Sequence, residues 1–237
     1  MRFAAPDAAA LLAQARTLSG LTVGAVASEF GIAPPPSAVS GKGWVGELLE
    51  AALGADAGND ATPDFRHLGI ELKTIPLRPD GQPVESTWVT RVPLEARAAS
   101  LPYEQSTVGA KLGHVLWVPI EAQGAGWLER RIGHAVLWQP DATELDVLRR
   151  DYEDLMGRIL TGRIDEVTGR LGDALQIRPK GRDSRERVLA LDADGASSWT
   201  STRGFYLRPR FTASVLRRVL GGSPPFAPTD LGATLVP

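Results

Sequence analysis

The hexapeptide GIELKT, residues 69–74, sets the tightest limit on what this chain can fold into. Apolar Ile70 and Leu72 alternate with Glu71 and Lys73, a period of two that a strand satisfies and a helix does not. On a strand the two sets point to opposite sides. Glu71 and Lys73 then share one face about 6–7 Å apart, while Ile70 and Leu72 bury the other. Asp64 lies seven residues before Glu71, directly after Pro63, where a loop can return its carboxylate to the same end of the strand.

The rest of the chain supplies elements to surround such a strand. Helices are expected from about Asp7 to Leu18 with Asp7 as cap, from Thr22 to Phe30, and over WVGELLEAALG. Strands are expected at 66–77, STWVTRV, GHVLWVPIEA and RRIGHAVLWQP. A long helix follows from about Asp141 to Thr161, with Leu145, Leu148, Tyr152, Leu155, Ile159 and Leu160 toward the core. ALQIRPKG and RGFYLRPRF read as strands or strand ends carrying basic residues, Thr212 as the cap of a short last helix, and 221–237 as a flexible tail. The pattern is α/β: a helical start, a central sheet and a basic C-terminal part.

Apolar residues make up 43% of the chain and charged residues 23%, values of a folded globular protein. The longest strongly apolar run, VLWVPI, is far short of the ~20 residues of a membrane-spanning helix. With no cysteine and three scattered histidines (His67, His114, His134), neither a disulfide framework nor a zinc site is supported. There is no Gly-x-Ser-x-Gly and no thiol, so nucleophilic serine or cysteine chemistry lacks its parts. A cytoplasmic setting is expected. Net charge is only −2, but its distribution is uneven: residues 176–218 carry +6 and residues 1–175 carry −7. A basic segment on an acidic body suits a polyanion binder as well as it suits a solvated arginine-rich surface.

An Asp…Glu-x-Lys set can cut phosphodiesters. Carboxylates hold Mg²⁺, a hard cation preferring oxygen ligands at about 2.0–2.1 Å. The ion polarises the phosphate and lowers the pKa of a bound water, and an ammonium stabilises developing negative charge. Taken alone the motif is weak, since Glu-x-Lys occurs by chance roughly once in a chain this long, usually as a charged sheet face. Two further features raise its weight. Glu50 lies roughly 140° round its helix from Val45, flanking the apolar stripe, whereas Glu47 at about 200° is opposite it. Glu50 can reach the sheet as a third carboxylate. The chain also uses 22 arginines and only four lysines (Lys42, Lys73, Lys111, Lys180), so a lysine marks a place where a compact ammonium is preferred.

The segments KGWVGELLEAALGADAG, DFRHLGIELKTIPL, HVLWVPIE, LQIRPKG and RGFYLRPRFT resemble, in order and spacing, the MutH family of DNA mismatch-repair endonucleases, over roughly residues 8–220. That resemblance implies a type II restriction endonuclease-like fold, a mixed central sheet flanked by helices with two arms around a DNA-binding cleft. It also implies a single nuclease domain over 1–220, with the active site within about 42–120 and a DNA-reading arm at about 171–220. The implied activity is Mg²⁺-dependent nicking of the unmethylated strand at hemimethylated GATC sites by a monomer. MutL stimulates it, and MutS acts indirectly. Carried over by position, Glu50, Asp64 and Glu71 are the acidic, metal-binding cluster, and Lys73 and Lys111 its lysines. Lys42, Arg178, Pro179 and Lys180 contact DNA, and Tyr206 senses adenine methylation. Arg178 suits a bidentate fork to guanine, and Lys180 a point charge. Trp88 reads as a core strand tryptophan. A restriction enzyme cutting both strands and a catalytically silent DNA-binding module are the alternatives.

Overall fold

The computed structural model describes residues 4–37, 43–58, 61–94, 96–123, 126–179, 187–191 and 197–226. Its helices are α1 (Ala8–Arg16), α2 (Val23–Glu29), α3 (Trp44–Leu53), α4 (Ala96–Ala99), α5 (Thr107–Leu112), α6 (Ala142–Leu160) and α7 (Pro209–Val219). The strands are β1 (Glu71–Leu77), β2 (Thr87–Arg91), β3 (Val115–Glu121), β4 (Val136–Trp138), β5 (Leu175–Pro179), β6 (Arg187–Leu191), β7 (Ser197–Ser201) and β8 (Arg203–Leu207). Helix starts follow local chemistry. Asp7 accepts from the Ala10 amide at 2.7 Å and Thr22 from Ala25 at 3.1 Å, each satisfying an orphan donor of the first turn. Asp141 and Glu144 form a reciprocal capping box on α6.

β1 and β3 pair in parallel, from Glu71 opposite Val115 to Leu77 opposite Glu121, and β4 adds antiparallel to β3. This mixed sheet is covered on both sides, which is why β3 is apolar almost throughout. Alternate residues go to different cores. Ile75, Leu77, Val115 and Trp117 pack into one with α6 and α7 residues, while Leu72, Leu116, Val118 and Ile120 join the other with residues of α1, α2 and α3. The helix-flanked mixed α/β sheet expected from the sequence is present. A second, antiparallel sheet runs in the order β2–β8–β5, and β6 pairs with β7 as a ribbon.

The entry to β5 is pinned by a buried acid. Oδ2 of Asp151 on α6 accepts from the backbone amides of Asp173, Ala174 and Leu175 at 2.7, 2.6 and 3.0 Å. Gly172 makes this possible: it has φ +82, and a Cβ there would sit 2.0 Å from the Leu175 carbonyl.

Several expectations need correction. The strand expected from 66 begins only at 71, because Phe65 and Ile70 close a tight loop through Gly69 at φ +63. Only three residues of RRIGHAVLWQP are strand. Leu160 is 37% exposed, at the fraying end of α6 rather than in the core. Thr212 lies buried inside α7, bonding the Arg208 carbonyl; the helix starts at Pro209, where a missing N–H is harmless. Residues 221–226 are docked rather than loose. The His134 amide donates to the Pro225 carbonyl at 2.7 Å, and Phe226 packs on the first core. Gly133 permits that approach, since a Cβ there would stand 2.6 Å from the Pro225 oxygen. Residues 227–237 lie outside the described residues.

Candidate active site and an outer sheet face

The Asp64–Ile70 loop does what the sequence allows. Asp64 Oδ2 accepts from the Leu72 amide at 2.8 Å, which fixes its carboxylate against the start of β1. Glu71, 2% exposed, receives two ammonium groups: Lys73 Nζ at 2.5 Å on Oε1 and Lys111 Nζ at 2.8 Å on Oε2. Lys111, 8% exposed, arrives on α5, a helix the sequence reading did not anticipate. Its signal was there in Ser106, whose Oγ caps the Gly109 amide at 3.0 Å. Gly109 lets α5 press on the preceding turn, as a Cβ there would lie 2.1 Å from the Tyr103 carbonyl.

Glu50 turns toward the same place and Glu47 toward solvent, as the helical angles require. Burial and the charges of Asp64 and Glu71 push the Glu50 carboxyl from 4.5 up to about 7, with Lys73 opposing them. Asp64 is raised as well, first by burial and then by Glu71, against the Leu72 amide and both lysines. Three carboxylates from a helix flank, a loop and a strand thus repel one another in a partly dry site. Among the described residues no three of these groups already converge as an ion's ligand set, and both Glu71 oxygens face lysines. The donor chemistry nevertheless fits a hard divalent cation. All donors are carboxylate oxygens, and their mutual repulsion is what such a cation relieves.

A second group lies on the sheet β2–β8–β5. Register places Trp88, Tyr206 and Gln176 abreast, with Gly204 beside Arg178. Val89, Leu175, Ile177, Phe205 and Leu207 bury the inner face, so these residues occupy the outer one. The Arg178 guanidinium stands 5.6 Å from the Tyr206 ring centre, and Trp88 meets that ring edge-on at 5.2 Å. Tyr206 is therefore an outer-face aromatic. Trp88, read from sequence as core, is half-buried and lies over Gly204, where a Cβ would fall 1.9 Å from its ring. Gln176, which the sequence reading did not single out, donates to Ser86 Oγ at 2.7 Å. Pro179 is exposed at the end of β5. Lys42 and Lys180 lie outside the described residues.

The basic arm is less available than its charge implies. Arg203 donates to the Val167 carbonyl, Arg208 to those of Gly169 and Leu171, Arg210 to Asp173, and Arg218 to Glu144. Residues 176–218 contain nine arginines, and these four hold the protein together. Arg178 is left exposed on the outer face.

Comparison with known proteins places these features. The family described as DNA mismatch repair enzyme MutH matches residues 53–151, which span Asp64, Glu71, Lys73 and Lys111. A DNA mismatch repair protein MutH of Haemophilus influenzae (strain PittGG) is 44% identical over 215 residues, 90% of this chain and 96% of its own. One of Histophilus somni (strain 2336) is 45% identical over 213 residues, 90% and 95% of the two chains. One of Shewanella baltica (strain OS155 / ATCC BAA-1091) is 42% identical over 214 residues, 89% and 95%. On this similarity along nearly its whole length, the chain belongs to the MutH family of DNA mismatch repair proteins.

Proposed function

We propose that this protein is a cytoplasmic, monomeric, Mg²⁺-dependent endonuclease of methyl-directed mismatch repair. It nicks the unmethylated strand of hemimethylated GATC sites and is activated by MutL. The observation that carries the reading is that Glu71 takes the ammonium groups of Lys73 and Lys111 on its two oxygens while the charges of Glu71 and Asp64 bear on Glu50 beside them. Membership of a mismatch-repair family supplies its setting. No helix among the described residues is long and apolar enough to cross a membrane.

Asp64, Glu71 and Glu50 would hold Mg²⁺, which when bound polarises the scissile phosphate and supplies a hydroxide-like water. Lys73 and Lys111 then lie beside the same phosphate, where compact ammonium groups offset charge on the transferring oxygens. Arg178 presents a donor fork to guanine acceptors, and the flat Tyr206 ring meets the adenine edge where a methyl group distinguishes the strands. Incubation of the protein with MutL and Mg²⁺ on one GATC duplex in its three methylation states tests the reading. The expected product is a nick on the unmethylated strand; cleavage of both strands, or no metal-dependent nick, contradicts it.

A further inference from the structure

Among the described residues, Glu85 brings a negative charge to the edge of the β2–β8–β5 outer face, the wrong sign for a surface that meets DNA. Glu85, just ahead of β2, is exposed, and no cation among the described residues pairs with it. Its neighbour Ser86 takes the Gln176 amide at 2.7 Å and lies 3.5 Å from Arg178 Nη1. The Glu85 charge also reaches the Tyr206 hydroxyl. Burial raises that hydroxyl's pKa most, Arg178 lowers it, and Glu85 raises it further. Glu85 therefore stands at the edge of the Gln176–Arg178–Tyr206 group. A lone carboxylate there opposes phosphate approach at every sequence, so its presence asks for a sequence-dependent return.

We infer, resting on the DNA-nicking reading above, that Glu85 is a specificity-determining residue accepting a hydrogen bond from the exocyclic amino group of a base in the major groove. An ionised carboxylate only accepts, and the amino groups of cytosine N4 and adenine N6 are the only donors on that groove edge. Guanine and thymine present acceptors, which a carboxylate repels. Arg178 only donates and reads the complementary acceptors. The two together cover both kinds of base edge, and the acid turns a general penalty on DNA binding into discrimination among bases.

The test uses wild-type protein, Glu85→Ala and Glu85→Gln on a hemimethylated duplex with one GATC site. Analogue duplexes carry deoxynebularine, which lacks the N6 amine, for the unmethylated adenine, or 2-pyrimidinone deoxyriboside, which lacks the N4 amine, for cytosine. Binding is read by anisotropy with Ca²⁺ in place of Mg²⁺, and nicking is read separately with Mg²⁺. One analogue is expected to weaken wild-type binding about fivefold to a hundredfold, the scale of one base contact, and which analogue does so identifies the base. Glu85→Ala is expected to be indifferent to that analogue. Both variants are expected to bind a duplex without the site several-fold tighter at low salt, a gain that high salt removes. Equal analogue penalties in wild type and Glu85→Ala, or no penalty in wild type, overturn the assignment. Binding that follows the expected pattern without any nicking sinks the nuclease reading and leaves Glu85 in its role. Matching thermal unfolding of the three proteins separates either outcome from a folding defect.

Discussion

Replacing Glu50 by glutamine should make the metal-free protein more stable at pH 8, although it removes a candidate functional residue. The Glu50 carboxyl is raised from 4.5 to about 7 by burial and by Asp64 and Glu71. A carboxyl with a higher pKa folded than unfolded binds more protons in the native state, so stability falls as pH rises from about 4.5 to 7 and levels off above. Fully desolvated, such a shift corresponds to ~3 kcal/mol. Glu50 is only half-buried, and solvent screening reduces this to about 1–2 kcal/mol. Glutamine cannot ionise and escapes that loss. Melting in chelator is expected to give Glu50→Gln a Tm about 2–8 °C above wild type at pH 8 and close to it at pH 5. Millimolar Mg²⁺ at pH 8 should raise the wild-type Tm more than the variant's, since it neutralises the charge the variant lacks. A variant less stable at pH 8, or a difference equal at both pH values, refutes the proximity of the three carboxylates on which the site is built.

Lys73→Ala and Glu71→Ala are expected to abolish nicking while leaving duplex affinity largely intact; a parallel fall in affinity measured by anisotropy would make them binding residues. Gly204→Ala puts a methyl group into the Trp88 ring and should shift tryptophan emission. The same change should weaken specific DNA binding by about tenfold, the scale of one aromatic contact, and unchanged emission and affinity would contradict that seat. Asp151→Ala leaves three amides without their acceptor, two of them buried, and should cost about 3 kcal/mol, seen as a Tm lowered by about 6–12 °C.

The legible parts of the fold were those written in short-range patterns. Alternation in GIELKT gave β1 and the shared face of Glu71 and Lys73, and helical angles separated Glu50 from Glu47. Asp7, Thr22 and Asp141 announced their helices by side-chain chemistry. What escaped depended on partners distant in sequence. Lys111 could be assigned to the acidic cluster only by resemblance, because no local pattern says that α5 will aim it at Glu71, forty residues earlier. Trp88 reads as core until Gly204 on another strand opens a place for its ring on the outer face. Net charge misled for the same reason: Arg203, Arg208 and Arg210 look like a surface for polyanions until the 167–173 segment folds under them.

β1 is a party wall. Leu72 belongs to the compartment lined by the first three helices, while Ile75 and Leu77 belong to the compartment beneath α6, and Glu71 and Lys73 precede them on that second side of the same seven residues. A methylene lost from either room shifts a strand only one residue thick, and the carboxylate riding on it shifts as well. Activity screens on this protein will therefore return inactivating substitutions well away from the acids, among aliphatic side chains that touch no phosphate.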